Sequence, residues 1–147
     1  MNRLGTARVL TLQSVVDERG TLESADLTFE ARRIFVVHDL AAGTSRGDHA
    51  NRTTHELIVC VRGASTATID EGAGERDVRL DAPTRALHLP PLVWVRLHDH
   101  APGTIMVVAA STAYAPGDAI RARAEHRTRE WLDIARYADT NGYQNDF

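Results

Sequence analysis

The chain has 147 residues, 25% of them charged and 43% apolar, which suits one globular domain built round one sizeable core. A net charge of -3 offers no footprint for a polyanion and so excludes nucleic acid as an expected partner. All 17 basic residues are arginine, which excludes Schiff-base chemistry and a lysine general base.

The opening MNRLGTARVLTLQ lacks the continuous apolar segment of a secretion signal. Residues 7–16 alternate loosely and predict a first strand; DERGT, Asp17 to Thr21, is a turn signal, and 22–28 predicts a weaker strand. In 32–40, Ile34, Val36 and His38 alternate with Arg33, Phe35 and Val37, the pattern of a strand. A loop of small residues leads to RGDHANRTTHELIVCVRG, Arg46 to Gly63. Its second half, Glu56 to Arg62, is a buried strand closed by the turn residue Gly63. Cys60 in that strand reads as a small core residue. It is the only cysteine, so no intrachain disulfide can form, and a cytoplasmic location is expected. Further strands are predicted over 65–70, 78–80, 86–89, 93–97 and 104–110, with a hairpin loop at 71–77 and a rigid Pro90-Pro91 turn. No apolar run approaches the roughly 20 residues needed to span a bilayer. Nine or ten short strands without βαβ alternation predict an all-β sandwich or barrel. From Asp118 to Ala138 the spacing of Trp131, Ile134, Ala135 and Ala138 predicts an amphipathic C-terminal helix, followed by a loosely ordered tail.

Polar residues concentrate at one place. His49 and Asn51 alternate, so they share a face of an extended chain. The spacing His49, Asn51, Glu56, Gly63 resembles the first motif of the cupin superfamily, whose second position is usually histidine. Six further segments extend the likeness: DERG at 17–20, RRIF at 32–35, LIVCVRG at 57–63, LDAP at 80–83, LHLPPLVW at 87–94 and VVAASTAYAPGDAIR at 107–121. Together with RGDHAN at 46–51 they resemble the cupin-fold sugar-nucleotide 3,4-ketoisomerases, the WxcM-like enzymes acting on dTDP-4-keto-6-deoxyglucose. The likeness covers about residues 10–121.

The resemblance implies a jelly-roll barrel over 1–121, with 122–147 as a C-terminal helix and tail. It implies an isomerase of deoxysugar biosynthesis that works without metal or other cofactor, and a homodimer, often with N-terminal strands exchanged. The implied reaction moves a ketone from C4 to C3: a base takes the C3 proton, an enediol forms, and a proton returns at C4. The family's usual His-x-His pair is here His49 and Asn51. Its tyrosine-bearing stretch is Phe35-Val36, and the position after Trp94, often histidine, is Val95. The rival reading is a barrel that binds a nucleotide sugar or other small metabolite without turning it over, or an epimerase variant.

The candidate roles follow from side-chain chemistry. His49 titrates near neutrality and is the candidate base. Asn51 can donate to a keto oxygen. Arg46 and Arg33 suit a diphosphate, because a guanidinium forks to two oxygens. His88 and His98 are candidates to replace the missing second histidine, and Trp94 offers a face on which a base or sugar can stack. His55 and Glu56 point to opposite faces of one strand, so one of them enters the barrel; His55 is carried as a substrate-binding candidate. His100 and His126 are expected on the surface without a role. No metal site is expected: beside His49 and Glu56 no third ligand of the first motif is present.

Overall fold

The computed structural model describes residues 5–126. Among the described residues twelve strands form: β1 (Arg8–Thr11), β2 (Gln13–Asp17), β3 (Gly20–Ser24), β4 (Arg33–Val37), β5 (Arg46–Asn51), β6 (Glu56–Arg62), β7 (Ser65–Asp70), β8 (Glu75–Leu80), β9 (Arg85–Leu89), β10 (Trp94–His98), β11 (Ile105–Ala110) and β12 (Ala119–Ile120). A 3-10 turn, Pro116–Asp118, precedes β12, and a helical turn α1 (Arg123–His126) follows it. The predicted helix continues past 126 and so lies mostly outside the described residues, as does the tail.

Two five-stranded antiparallel sheets face each other, β1-β9-β6-β11-β4 and β12-β5-β10-β7-β8. The non-sequential order is that of a jelly roll, as the motif spacing implies. One core joins the sheets: Ile58, Cys60, Leu87, Leu89, Met106 and Val108 from the first meet Ala67, Ile69, Val78, Leu80, Val95 and Leu97 from the second. The strand period of two makes these the inner faces. It also makes 34, 36, 55, 57, 59 and 88 the outer face of the first sheet, and 66, 68, 70, 94, 96 and 98 that of the second.

The long first strand predicted over 7–16 is two strands. Leu12 leaves the sheet edge, its N–H bonding Thr84 O at 2.7 Å. After it, β2 and β3 pair with each other as a hairpin round the DERG turn. This hairpin forms a sheet of its own and exposes Val15, Val16 and Leu22. The outer face of the first sheet likewise exposes Ile34 and Val36 at 69% and 54%.

Candidate functional site

Strand β5 is bent before it reaches the site. Gly47 and Asp48 both have positive φ, +88° and +52°, and the pairing with β10 shifts register between Val95 and Arg96. A Cβ at Gly47 would lie 2.9 Å from Val95 O, so glycine lets the two backbones approach. Such a bulge re-aims the side chains that follow it. It brings His49 opposite Val95, an inward residue, and Asn51 follows on the same side.

The opposite wall comes from the first sheet. Glu56 and Arg33 both pair with Ala110 of β11, on either side of it, and share the inner parity of Ile58 and Cys60. Glu56 is therefore the inward member of the His55–Glu56 pair. It is 6% exposed, and the Asn51 Nδ2 donates to its Oε1 at 3.0 Å. Burial pushes the Glu56 carboxyl above the usual carboxylate range; His49, Arg33 and the Asn51 amide oppose that rise, and Asp118 adds to it. One end of the barrel thus gathers His49 and Asn51 from one sheet with Glu56 and Arg33 from the other.

Two polar atoms there have no hydrogen-bond partner among the described residues although both are buried: His49 Nδ1 and Arg33 Nε. Buried donors and acceptors are nearly always satisfied, so this pair marks a place that a ligand can complete. The Arg33 guanidinium lies over Phe35 (5.2 Å to the ring centroid) and Tyr114 (5.6 Å). Tyr114, 76% exposed, was missed by sequence reasoning: it lies in the segment 107–121 that contributes to the family likeness, but nothing local pairs it with Arg33. Phe35 and Val95, where the ketoisomerase pattern has titratable groups, both face the interior.

The loop between Asn51 and Glu56 is held by Asp118. Its two oxygens accept from the backbone N–H and hydroxyl of both Thr53 and Thr54, at 2.6–3.2 Å. Arg52 pairs with Glu125. The loop residues, to which the sequence assigned no joint role, thus tie Asp118 to the turn that sets Asn51 against Glu56.

Four of the expected binding residues do not join this cluster, because strand parity sends them outward. His55 and His88 lie outside the first sheet, with His55 Nδ1 to His88 Nε2 at 3.2 Å and the Phe29 ring stacked over both at 5.7 and 5.8 Å. Burial pushes each of these histidines down to about 4. Trp94 and His98 lie outside the second sheet. Trp94 meets the Arg123 guanidinium at 4.6 Å and the His126 ring at 5.3 Å, and lines a cleft with Asp70, Glu75 and Arg96. His98 Nε2 bonds Thr68 Oγ1 at 2.7 Å. Arg46 pairs with inward Leu97 at the start of β5 but is exposed. His126, expected on the surface, is 1% exposed and bonds Leu92 O at 2.9 Å. His100 is half-buried, with Nδ1 2.9 Å from Ser65 Oγ. Among the described residues no three His, Cys, Asp or Glu side chains converge as metal ligands.

Comparison with known proteins fits this architecture. Residues 6–131 match the family described as FdtA: WxcM-like, C-terminal. A curated relative, the TDP-4-oxo-6-deoxy-alpha-D-glucose-3,4-oxoisomerase of Aneurinibacillus thermoaerophilus, is 30% identical over 118 residues, 78% of this chain and 85% of the relative. The sugar 3,4-ketoisomerase QdtA of Thermoanaerobacterium thermosaccharolyticum, solved in complex with TDP, superposes with a TM-score of 0.80 at 22% identity, covering 89% of this chain and 95% of that one. A 3,4-ketoisomerase from Helicobacter canadensis gives 0.79 at 22% identity, covering 82% and 94%. With a cupin-type jelly roll, the RGDHAN strand at the barrel mouth and a family match across most of its length, this chain belongs to the WxcM-like FdtA family.

Proposed function

We propose that this protein is an isomerase that moves the ketone of a TDP-linked 4-keto-6-deoxyhexose from C4 to C3. The observation that carries the reading is the buried, unpartnered Nδ1 of His49 at a barrel mouth that also holds Asn51, Glu56 and Arg33. A neutral imidazole there can take the C3 proton, which the adjacent ketone acidifies, and return it at C4. Asn51 donates one amide N–H to Glu56 and has a second to offer the developing oxyanion. Arg33, with its Nε unsatisfied, and exposed Arg46 supply guanidinium groups for the diphosphate.

The same reading includes a homodimer. The apolar outer face round Ile34 and Val36 and the exposed β2–β3 hairpin are the surfaces it would cover. A cytoplasmic location accords with Cys60 as a buried free thiol.

The test is incubation with TDP-4-keto-6-deoxyglucose in deuterated water, followed by proton NMR. The expected result is loss of the C3 proton signal and appearance of 3-keto-sugar resonances, both abolished by His49→Asn. Saturable binding of the nucleotide sugar with an unchanged spectrum would replace this reading with a barrel that binds without turnover.

A further inference from the structure

We propose that Glu56 is the second proton carrier of this site, serving the two substrate oxygens while His49 serves carbon; the inference rests on the isomerase reading above. A 3,4-shift of a ketone moves two protons, one from C3 to C4 and one from O3 to O4. The site therefore needs a second titrating group. Asn51 cannot titrate, and Phe35 and Val95 bring no proton to the positions from which they face inward. Arg33 stays charged. His55, His88 and His98 lie on outer faces, and Asp118 is engaged by Thr53 and Thr54. Tyr114, which meets Arg33, is 76% exposed, so among the buried described residues at this end of the barrel that leaves Glu56.

Its setting suits the task. Glu56 is on the inner face, nearly buried, and hydrogen-bonded to the amide of Asn51, the residue two along the strand from His49. The charged and titratable groups acting on it are His49 of β5, Arg33 of β4 and Asp118 of the 3-10 turn; Leu89 and Ala110 flank it on β9 and β11. Burial favours the neutral carboxyl, which has a proton to give.

The steps balance. His49 takes the C3 proton; the C–H electron pair becomes the C3=C4 bond and the carbonyl π pair moves to O4, giving an enolate that the Asn51 amide holds and that exchanges at C3 without Glu56; O4 then takes the proton of Glu56. The Glu56 carboxylate then takes the O3 proton; the O3 electrons form C3=O, and the enediol π pair moves to C4, which takes the proton from His49. Both residues end as they began, and no oxidant is needed.

The experiment compares C3 deuterium exchange and 3-keto product formation in wild type and Glu56→Gln across pH. The variant keeps an oxygen that can accept from Asn51. Expected in Glu56→Gln is a loss of product formation of about 10²–10⁴-fold with a much smaller loss of C3 exchange. In wild type, product formation should fall on the alkaline side, as Glu56 loses its proton, while C3 exchange persists. Product formation within about 3-fold of wild type in a folded variant overturns the Glu56 assignment and leaves the isomerase reading standing. Should the variant melt early or fail to bind, the wild-type profile decides: exchange and product formation falling together at high pH overturns the assignment. No exchange and no product from wild type overturns both readings.

Discussion

Replacing Asp118 with alanine should loosen the loop that sets Asn51 against Glu56. The size of the effect can be worked from the four donors that its carboxylate accepts from. Thr54 is 3% exposed, so its N–H, which donates to Oδ2 at 3.2 Å, would be left without a partner in the interior. Orphaning such a donor costs about 1–3 kcal/mol. The Thr54 hydroxyl loses its 2.6 Å bond to Oδ2 but keeps Thr112 Oγ1 at 2.7 Å, so it adds less. The two bonds to Thr53 are half-exposed, and water can replace them at a cost of a few tenths to about 1 kcal/mol each. The sum is about 3 kcal/mol, or a fall in Tm of about 10 °C for a domain of this size. Urea denaturation at fixed protein concentration, with the slope unchanged, measures it. Turnover should fall with it, because the loop joins the two site residues. A loss under about 1 kcal/mol, or full activity in the folded variant, would refute the tie.

Three other outcomes are expected. Gly63→Ala should cost about 3 kcal/mol or more, because φ is +77° and the new Cβ would lie 2.7 Å from Thr104 Cα and 2.4 Å from its Oγ1; a Tm change under about 2 °C would count against it. The histidine pair should make stability fall as pH drops from about 6.5 toward 4, because the unfolded chain protonates His55 and His88 in that window while the fold holds them neutral; the raised carboxyl of Glu56 contributes the opposite slope, losing stability as pH rises. In His88→Gln the fall toward pH 4 should flatten, and an unchanged slope in denaturation curves taken from pH 7 to 4 would exclude the histidine pair as its source. Ile34→Asp should leave monomer stability within about 0.5 kcal/mol, since Ile34 is exposed, yet dissociate the proposed dimer in light-scattering chromatography. A monomeric wild type would remove that surface from the account.

Much of the fold was legible because strand burial has a period of two. The alternation in 32–40, the apolar run from Leu57 and the DERG turn each appear where local chemistry put them. The spacing of His49, Asn51, Glu56 and Gly63 indicated a cupin barrel, and the order of seven short segments indicated the family. Alternation could also state that His55 and Glu56 face opposite ways. It could not say which faced in, because both faces of β6 carry apolar residues and only the second sheet distinguishes them.

Tertiary structure decided the rest. The chain alone does not place Arg33 and Glu56 on either side of Ala110, nor set them across the barrel from His49, because those contacts depend on which strands pair and in what register. His88 and His98 looked like replacements for a lost histidine, but one residue of parity puts each on an outer face. Asp118 reaches back 64 residues to Thr54, a separation that no local pattern encodes. Sequence determines which residues can form strands and carry protons. Which of them share one end of the barrel is set by pairing between strands far apart in the chain, where the hydrophobic core fixes the register.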